Sequence, residues 1–326
     1  MAIHIRRRKF IATLGGAAAW RLTARAKTSE TLRIGIVSIN PRTSPVWVTF
    51  LQRLQELGHI EGQNFTTEFV LGGAPDTYYE GMKELVRRNV NLLIATGNEI
   101  ALKSALAATN SLPIVMVAID YDPLARGYVT SLARPSGNVT GVFFQQIELS
   151  MKRMELIKEA FPELQGATVL WDQTTADQWR AIQSAAAALG IPVAGIELIK
   201  QPYDYERALS QTLLDHRRPV YFVMSGFFFR DRDRLANLAL QRRVPSIFGT
   251  REYVDAGGLL SYGPNIIALF RRAAEYADRI ARGAKPADLP IEQPTKFEVI
   301  VNLKTARALG INIPTPILLR ADEVIE

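Results

Sequence analysis

The chain has 326 residues, 48% of them hydrophobic, and no cysteine, which excludes disulfides, catalytic thiols and thiolate metal sites. Its 39 Lys+Arg against 32 Asp+Glu give a net charge of +7, but Arg6, Arg7, Arg8, Lys9, Arg21 and Arg25 precede residue 27 with no acid among them, and the remainder balances at 33 against 32, or +1. A nearly neutral remainder lacks the basic patch that a nucleic-acid-binding domain keeps on its folded surface, so no nucleic-acid partner is expected.

Residues 1–26 have the parts of an export signal: a cationic start, a short apolar run from Phe10 to Trp20, and Ala24-Arg25-Ala26 as a small-residue cleavage site. The run is shorter than the roughly 20 apolar residues that a membrane span needs. Arg7-Arg8-Lys9-Phe10-Ile11 resembles a twin-arginine signal, and Gly15-Gly16 with the alanines makes the apolar core only mildly hydrophobic, as that route prefers. An ordinary secretory leader is the alternative. Cleavage near Ala26 places the mature protein in the periplasm, and the absence of cysteine removes a lipid anchor, so a soluble form is expected. No later segment approaches the length of a membrane span.

Strand-like and helix-like segments then alternate. TLRIGIVSI (31–39) is a buried strand, and Val46, Phe50, Leu54 and Leu57 follow at helical spacing before Gly58. NFTTEFVLG (64–72) alternates as a strand, 78–86 is helical, NLLIAT (91–96) is a strand, 98–109 a helix and PIVMVAI (113–119) a strand. RPSGNVTGVF (134–143) is linker chemistry. The pattern restarts with helix 147–160, strand ATVLWD (167–172), helix 175–189 and strand IPVAGIELI (191–199). Helix 203–215, strand PVYFVM (219–224), helix 230–242 and strand VPSIFG (244–249) complete it. Short buried strands separated by helices predict parallel sheets, here as two Rossmann-like α/β lobes with a cleft between them.

The catalytic inventory is thin. His4 lies in the leader, and His59 and His216 stand in turn-like settings. No zinc-protease, nucleophile-elbow, dinucleotide or P-loop motif occurs, so no catalytic residue, metal site or cofactor is assigned. Asp120 and Asp122 leave open a carboxylate-dependent hydrolase or lyase.

Open α/β sheets bind ligands beyond the carboxyl ends of their strands. Those ends carry Ser38 and Ser44 in the first loop, Thr96, Gly97 and Asn98, then Asp120 and Tyr121. Thr140 and Gly141 stand in the linker, Asp172 and Thr174 follow the next strand, Ser225, Gly226 and Phe227 another, and Tyr262 lies in GGLLSYGPN. Each alone also serves as a helix cap or turn former. The set suits a small zwitterion: hydroxyls, amides and free helix N–H groups for a carboxylate, Asp120 or Asp172 for an ammonium, and aromatic rings for a flat side chain.

At LQELGHIEGQNF (54–65), SLARPSGNVTGV (131–142), VDAGGLLSYGPN (254–265), RGAKPADLPIEQPTKFEVIVNLKTARALG (282–310) and ADEVIE (321–326), the chain resembles the periplasmic substrate-binding proteins of bacterial ABC transporters, specifically the tryptophan/tyrosine-type family. The resemblance implies a type I periplasmic-binding fold whose lobes, 31–142 plus 263–290 and 143–262 plus 291–326, are joined by three crossover strands near 138–144, 260–263 and 289–294. It implies a monomeric receptor that closes on an amino acid or other small carboxylate and delivers it to an inner-membrane permease driven by a separate ATPase. A sensing module for a membrane receptor kinase uses the same closure. The chain departs from the family at Arg126-Gly127-Tyr128-Val129, where GLV is common, at Ser136 for Gly, at His59 for Tyr, and in the aromatic run Phe227-Phe228-Phe229. The last departure could reshape the pocket, so an aromatic ligand is not assumed.

Overall fold

A computed structural model of the protein describes residues 31–73, 75–211 and 217–326. The basic leader, its cleavage site and His216 fall outside the described residues. No helix among those described is long and apolar enough to cross a membrane.

Two sheets form two lobes. The first has five parallel strands in the order β2-β1-β3-β4-β5: β1 Leu32–Ser38, β2 Phe65–Leu71, β3 Leu92–Gly97, β4 Ile114–Ala118 and β5 Val139–Phe143. Its inner strands read as nearly continuous apolar runs because helices cover both faces; Arg33 of β1, partly exposed, is the charged exception. Those helices are α1 Pro45–Glu56, α2 Pro75–Arg87, α3 Glu99–Ala108 and, from far along the chain, α10 Ile266–Ala281, which packs on α1, β4 and β5.

The second sheet has seven strands in the order β12-β11-β10-β9-β8-β6-β7. They are β6 Ala167–Asp172, β7 Val193–Leu198, β8 Val220–Phe222, β9 Ser246–Phe248, β10 Leu260–Pro264, β11 Phe297–Asn302 and β12 Glu323–Ile325. Only the β10–β11 pair is antiparallel. Helices α4 Gln146–Ala160, α5 Ala176–Leu189, α8 Arg232–Gln241 and the short α6 Tyr205–Ser210, α7 Gly226–Arg230 and α9 Arg251–Asp255 flank it. The helix expected over 230–242 is α8, and Ser225 opens an additional short turn before it, α7, by accepting from the Phe227 N–H at 3.2 Å.

The chain passes between the sheets three times, after β5, after β10 and before β11. The last passage runs beside β5, with the Glu292 N–H donating to the Gly141 carbonyl and the Phe143 N–H to the Glu292 carbonyl, both at 3.0 Å. Thr140 Oγ1 donates to the Leu289 carbonyl at 2.8 Å and is fully buried. Gly141, at φ +136°, lies so close to β4 that a Cβ would sit 2.0 Å from the Met116 carbonyl oxygen. Both residues were expected to grip ligand; the packing of the crossover strand uses them instead.

Gly141→Ala should therefore destabilise the fold by about 3 kcal/mol, lowering Tm by roughly 6–12 °C. Thr140→Val, which loses one buried hydrogen bond, should cost about 1–2 kcal/mol. Thermal unfolding of the two variants checks the ranking.

Candidate ligand-binding cleft

The carboxyl ends of β1, β3 and β4 face those of β6 and β8. Ser38 Oγ accepts from Trp47 Nε1 at 3.0 Å and from the Asn40 N–H at 3.1 Å, which fixes the first loop from behind. Ser44 precedes α1 without capping it, and its buried Oγ has no partner. Thr96 and Gly97 end β3, Gly97 at φ +89° where a side chain would be strained. With Ser38, Asn98, Phe229 and Phe270 they line a cavity between the lobes.

Asn98 links the lobes directly. It stands at the N-cap of α3 but makes no cap bond; its Oδ1 accepts from the Gly226 N–H at 3.0 Å, across the cleft. A Cβ on residue 226 would come within 2.4 Å of that Oδ1, so glycine permits the approach. The Asn98 amide nitrogen is left buried with no partner.

Two carboxylates converge from opposite lobes. Asp120, just past β4, is 3% exposed; its Oδ1 accepts from the Glu99 N–H at 3.1 Å and its Oδ2 has no partner. Asp172, ending β6, is fully buried. Its Oδ1 accepts from the Thr174 N–H at 2.9 Å and the Thr174 hydroxyl at 2.5 Å, and its Oδ2 from Ser225 Oγ at 2.9 Å and the Tyr203 hydroxyl at 3.2 Å. Burial, and then the charge of Asp172, push the Asp120 carboxyl well above the usual range, against the pull of the Glu99 N–H and the nearby Thr174 hydroxyl. That hydroxyl's one hydrogen goes to Asp172, which leaves Asp120 Oδ2 bare. Among the described residues neither carboxylate forms an ion pair with Lys, Arg or His. Arg230 is turned away, over the Phe227 ring and onto Asp231.

Aromatic rings close the site. Tyr121 is buried edge-on to Tyr128, and burial holds its hydroxyl well above its ordinary pKa. Phe227 packs edge-on to Tyr203. The departures at Arg126 and Tyr128 belong to the cleft rim: Arg126 meets Asp177 of α5 at 2.5 Å, and the Tyr128 hydroxyl donates to Glu99 at 2.6 Å. Sequence reasoning missed Tyr203 and Phe270, whose turn and apolar settings look like those of any core residue, whereas Phe229 belongs to the aromatic run already singled out. His59 is structural, its Nε2 lying 2.8 Å from Asp278 on α10.

Tyr262 is not in the cleft. Its ring lies in an outer groove of the second lobe with Lys152, Glu155 and Arg320, 6.1 Å from the Phe297 ring. The β10 alternation puts it on the face covered by α4, and only its main-chain oxygen is used inside, accepting from Arg153 Nε at 2.7 Å.

Fold and cleft define a two-lobed α/β protein with a cavity between the strand ends of its lobes. The chain belongs to the ABC transporter substrate binding protein family, whose pattern it matches over residues 47–325. It is 24% identical over 292 residues to a tyrosine-binding protein of Clostridioides difficile (strain R20291), covering 88% of this chain and 82% of that one. Among solved structures, it is similar in fold to a conserved domain protein from Vibrio cholerae O1 biovar El Tor, with TM-score 0.80, 23% identity, and 90% of this chain and 99% of that one covered. It is also similar to an ABC domain from Streptococcus pneumoniae in complex with L-Trp, with TM-score 0.78, 23% identity, and 90% and 100% covered.

Gly226→Ala should prop the lobes apart at Asn98, weakening ligand binding at least about tenfold while shifting the ligand-free Tm by no more than a few degrees. Titration calorimetry and thermal unfolding separate the two effects.

Proposed function

We propose that the protein is an exported solute receptor that captures an amino acid with an aromatic side chain between its lobes and delivers it to a membrane permease. The observation that carries this reading is the buried Asp120, with one oxygen unpartnered, set against Asp172, neither of them paired with a cationic side chain among the described residues. A ligand ammonium supplies the missing charge, and both halves of the site come from one chain, so a monomer suffices. Asn98 Nδ2 is a free buried donor for the ligand's carboxylate, and Phe229 and Phe270 offer apolar walls to its side chain. The tyrosine-binding relative and the L-Trp complex support the aromatic choice.

Closure follows from differential affinity: a ligand touching both lobes binds the closed arrangement better than the open one and shifts the population toward it. The chain carries no P-loop, so ATP hydrolysis belongs to a separate subunit. The basic leader with its arginine pair supports export to the periplasm by the twin-arginine route.

Asp120 gives the test a sign. Its pKa is raised in the folded protein, so its favourable contribution to ligand-free stability is present at low pH and is lost as pH rises through the raised value. Ammonium binding demands the charged form, so affinity should fall as the pH is lowered through the raised value. Asp120→Asn should raise ligand-free stability at neutral pH, weaken L-tyrosine or L-tryptophan binding by about 100-fold or more, and flatten the pH dependence. Calorimetric titrations across pH check this; wild-type affinity in Asp120→Asn would overturn the site assignment.

A further inference from the structure

Gln146 is the first residue of α4, 4% exposed, and shares a second cavity with Asp120, Tyr121, Phe143 and Gln145. Its Oε1 accepts from Arg153 Nη1 at 2.7 Å, which fixes the amide's orientation, since a flipped amide would set its NH₂ against the guanidinium donors. The other end, Nε2, is buried with no hydrogen-bond partner. The residue before it, Gln145, takes the left-handed conformation at φ 54°, a strain that places Gln146 at the mouth of the helix beside Asp120.

Arg153 is built to hold this group. It is fully buried and makes no ion pair among the described residues; its other donors go to the Tyr262 carbonyl, the Tyr221 hydroxyl and the Gly249 carbonyl. Gly249 and Gly263 leave the slot for it, a Cβ on either coming within 3.3 and 3.0 Å of Nη2. A buried cation bonded to the amide oxygen polarises the amide and makes its N–H the stronger donor.

We infer that Gln146 Nε2 is a ligand contact that donates to the carboxylate of the bound amino acid, and that Arg153 is the positioning residue that aims it. The inference rests on the amino-acid reading of the cleft. It makes α4, the first element past the first crossover, report ligand to the second lobe, while Asp120 takes the ammonium from the first.

The test compares L-tyrosine with tyramine, which lacks the carboxylate, by calorimetric titration of the mature chain. In Gln146→Ala the L-tyrosine affinity should fall about 10- to 100-fold, the loss expected for one hydrogen bond to a charged group, while tyramine binding stays within about twofold. Gln146→Glu should lose L-tyrosine at least as strongly and leave tyramine unweakened. Arg153→Met should narrow the L-tyrosine to tyramine ratio in the same direction; this ratio, unlike absolute affinity, does not respond to a merely structural role. A ratio unchanged by Gln146→Ala overturns the inference and leaves the cleft reading intact. Failure of the wild type to bind L-tyrosine or L-tryptophan overturns that reading instead.

Discussion

Asp120 and Asp172 leave the ends of strands in two different sheets and come to rest near one another, both buried and, among the described residues, neither paired with a cationic side chain. Two carboxylates in that position cannot both stay charged without compensation: desolvation and mutual repulsion force a proton onto one of them or draw in a cation. Asp172 is satisfied by hydroxyls and a backbone N–H, so it keeps its place without a counter-charge. Asp120 has only the Glu99 N–H on one oxygen and no hydrogen-bond partner on the other, which is why the proposed site makes it the group that a ligand ammonium would meet.

Everything that holds this pair in register lies away from it. The three passages between the sheets tether the lobes on one side, and Gly141 and Thr140 lock β5 to β4 and to the returning chain. Across the mouth, the Asn98–Gly226 hydrogen bond and the Arg126–Asp177 ion pair join the lobes. The first is buried and depends on a missing side chain; the second is partly exposed and worth about 0–1 kcal/mol. In the proposed closure, weak protein–protein contacts at the rim work against a carboxylate pair at the centre. A ligand cation reverses the sign of that central term.

Much of this was legible in the sequence. The alternation of apolar runs and helices gave the two α/β lobes because strands covered on both faces are largely apolar, and the strand-end rule singled out Asn98, Asp120, Asp172, Ser225 and Gly226, which the structure brings together between the lobes. What periodicity could not supply was side-chain direction at the crossovers. Tyr262 and Thr140 stand in the right segments, but a strand sends neighbouring residues to opposite faces, and no local signal says which face meets the cleft. Gln146 was hidden for a different reason: an amide opening a helix is unremarkable until a buried arginine seven positions on turns its oxygen inward. Phe270 looks like core until two lobes are assembled around it.

The most direct measurement is the affinity of the mature, refolded protein for L-tyrosine beside N-acetyl-L-tyrosine, which keeps the ring and the carboxylate but has no ammonium. If the Asp120–Asp172 pair is the centre of the site, L-tyrosine binds and the acetylated compound does not within the accessible concentration range. Equal binding of the two would contradict the account, because it would mean that the ligand's positive charge has no partner in the cleft.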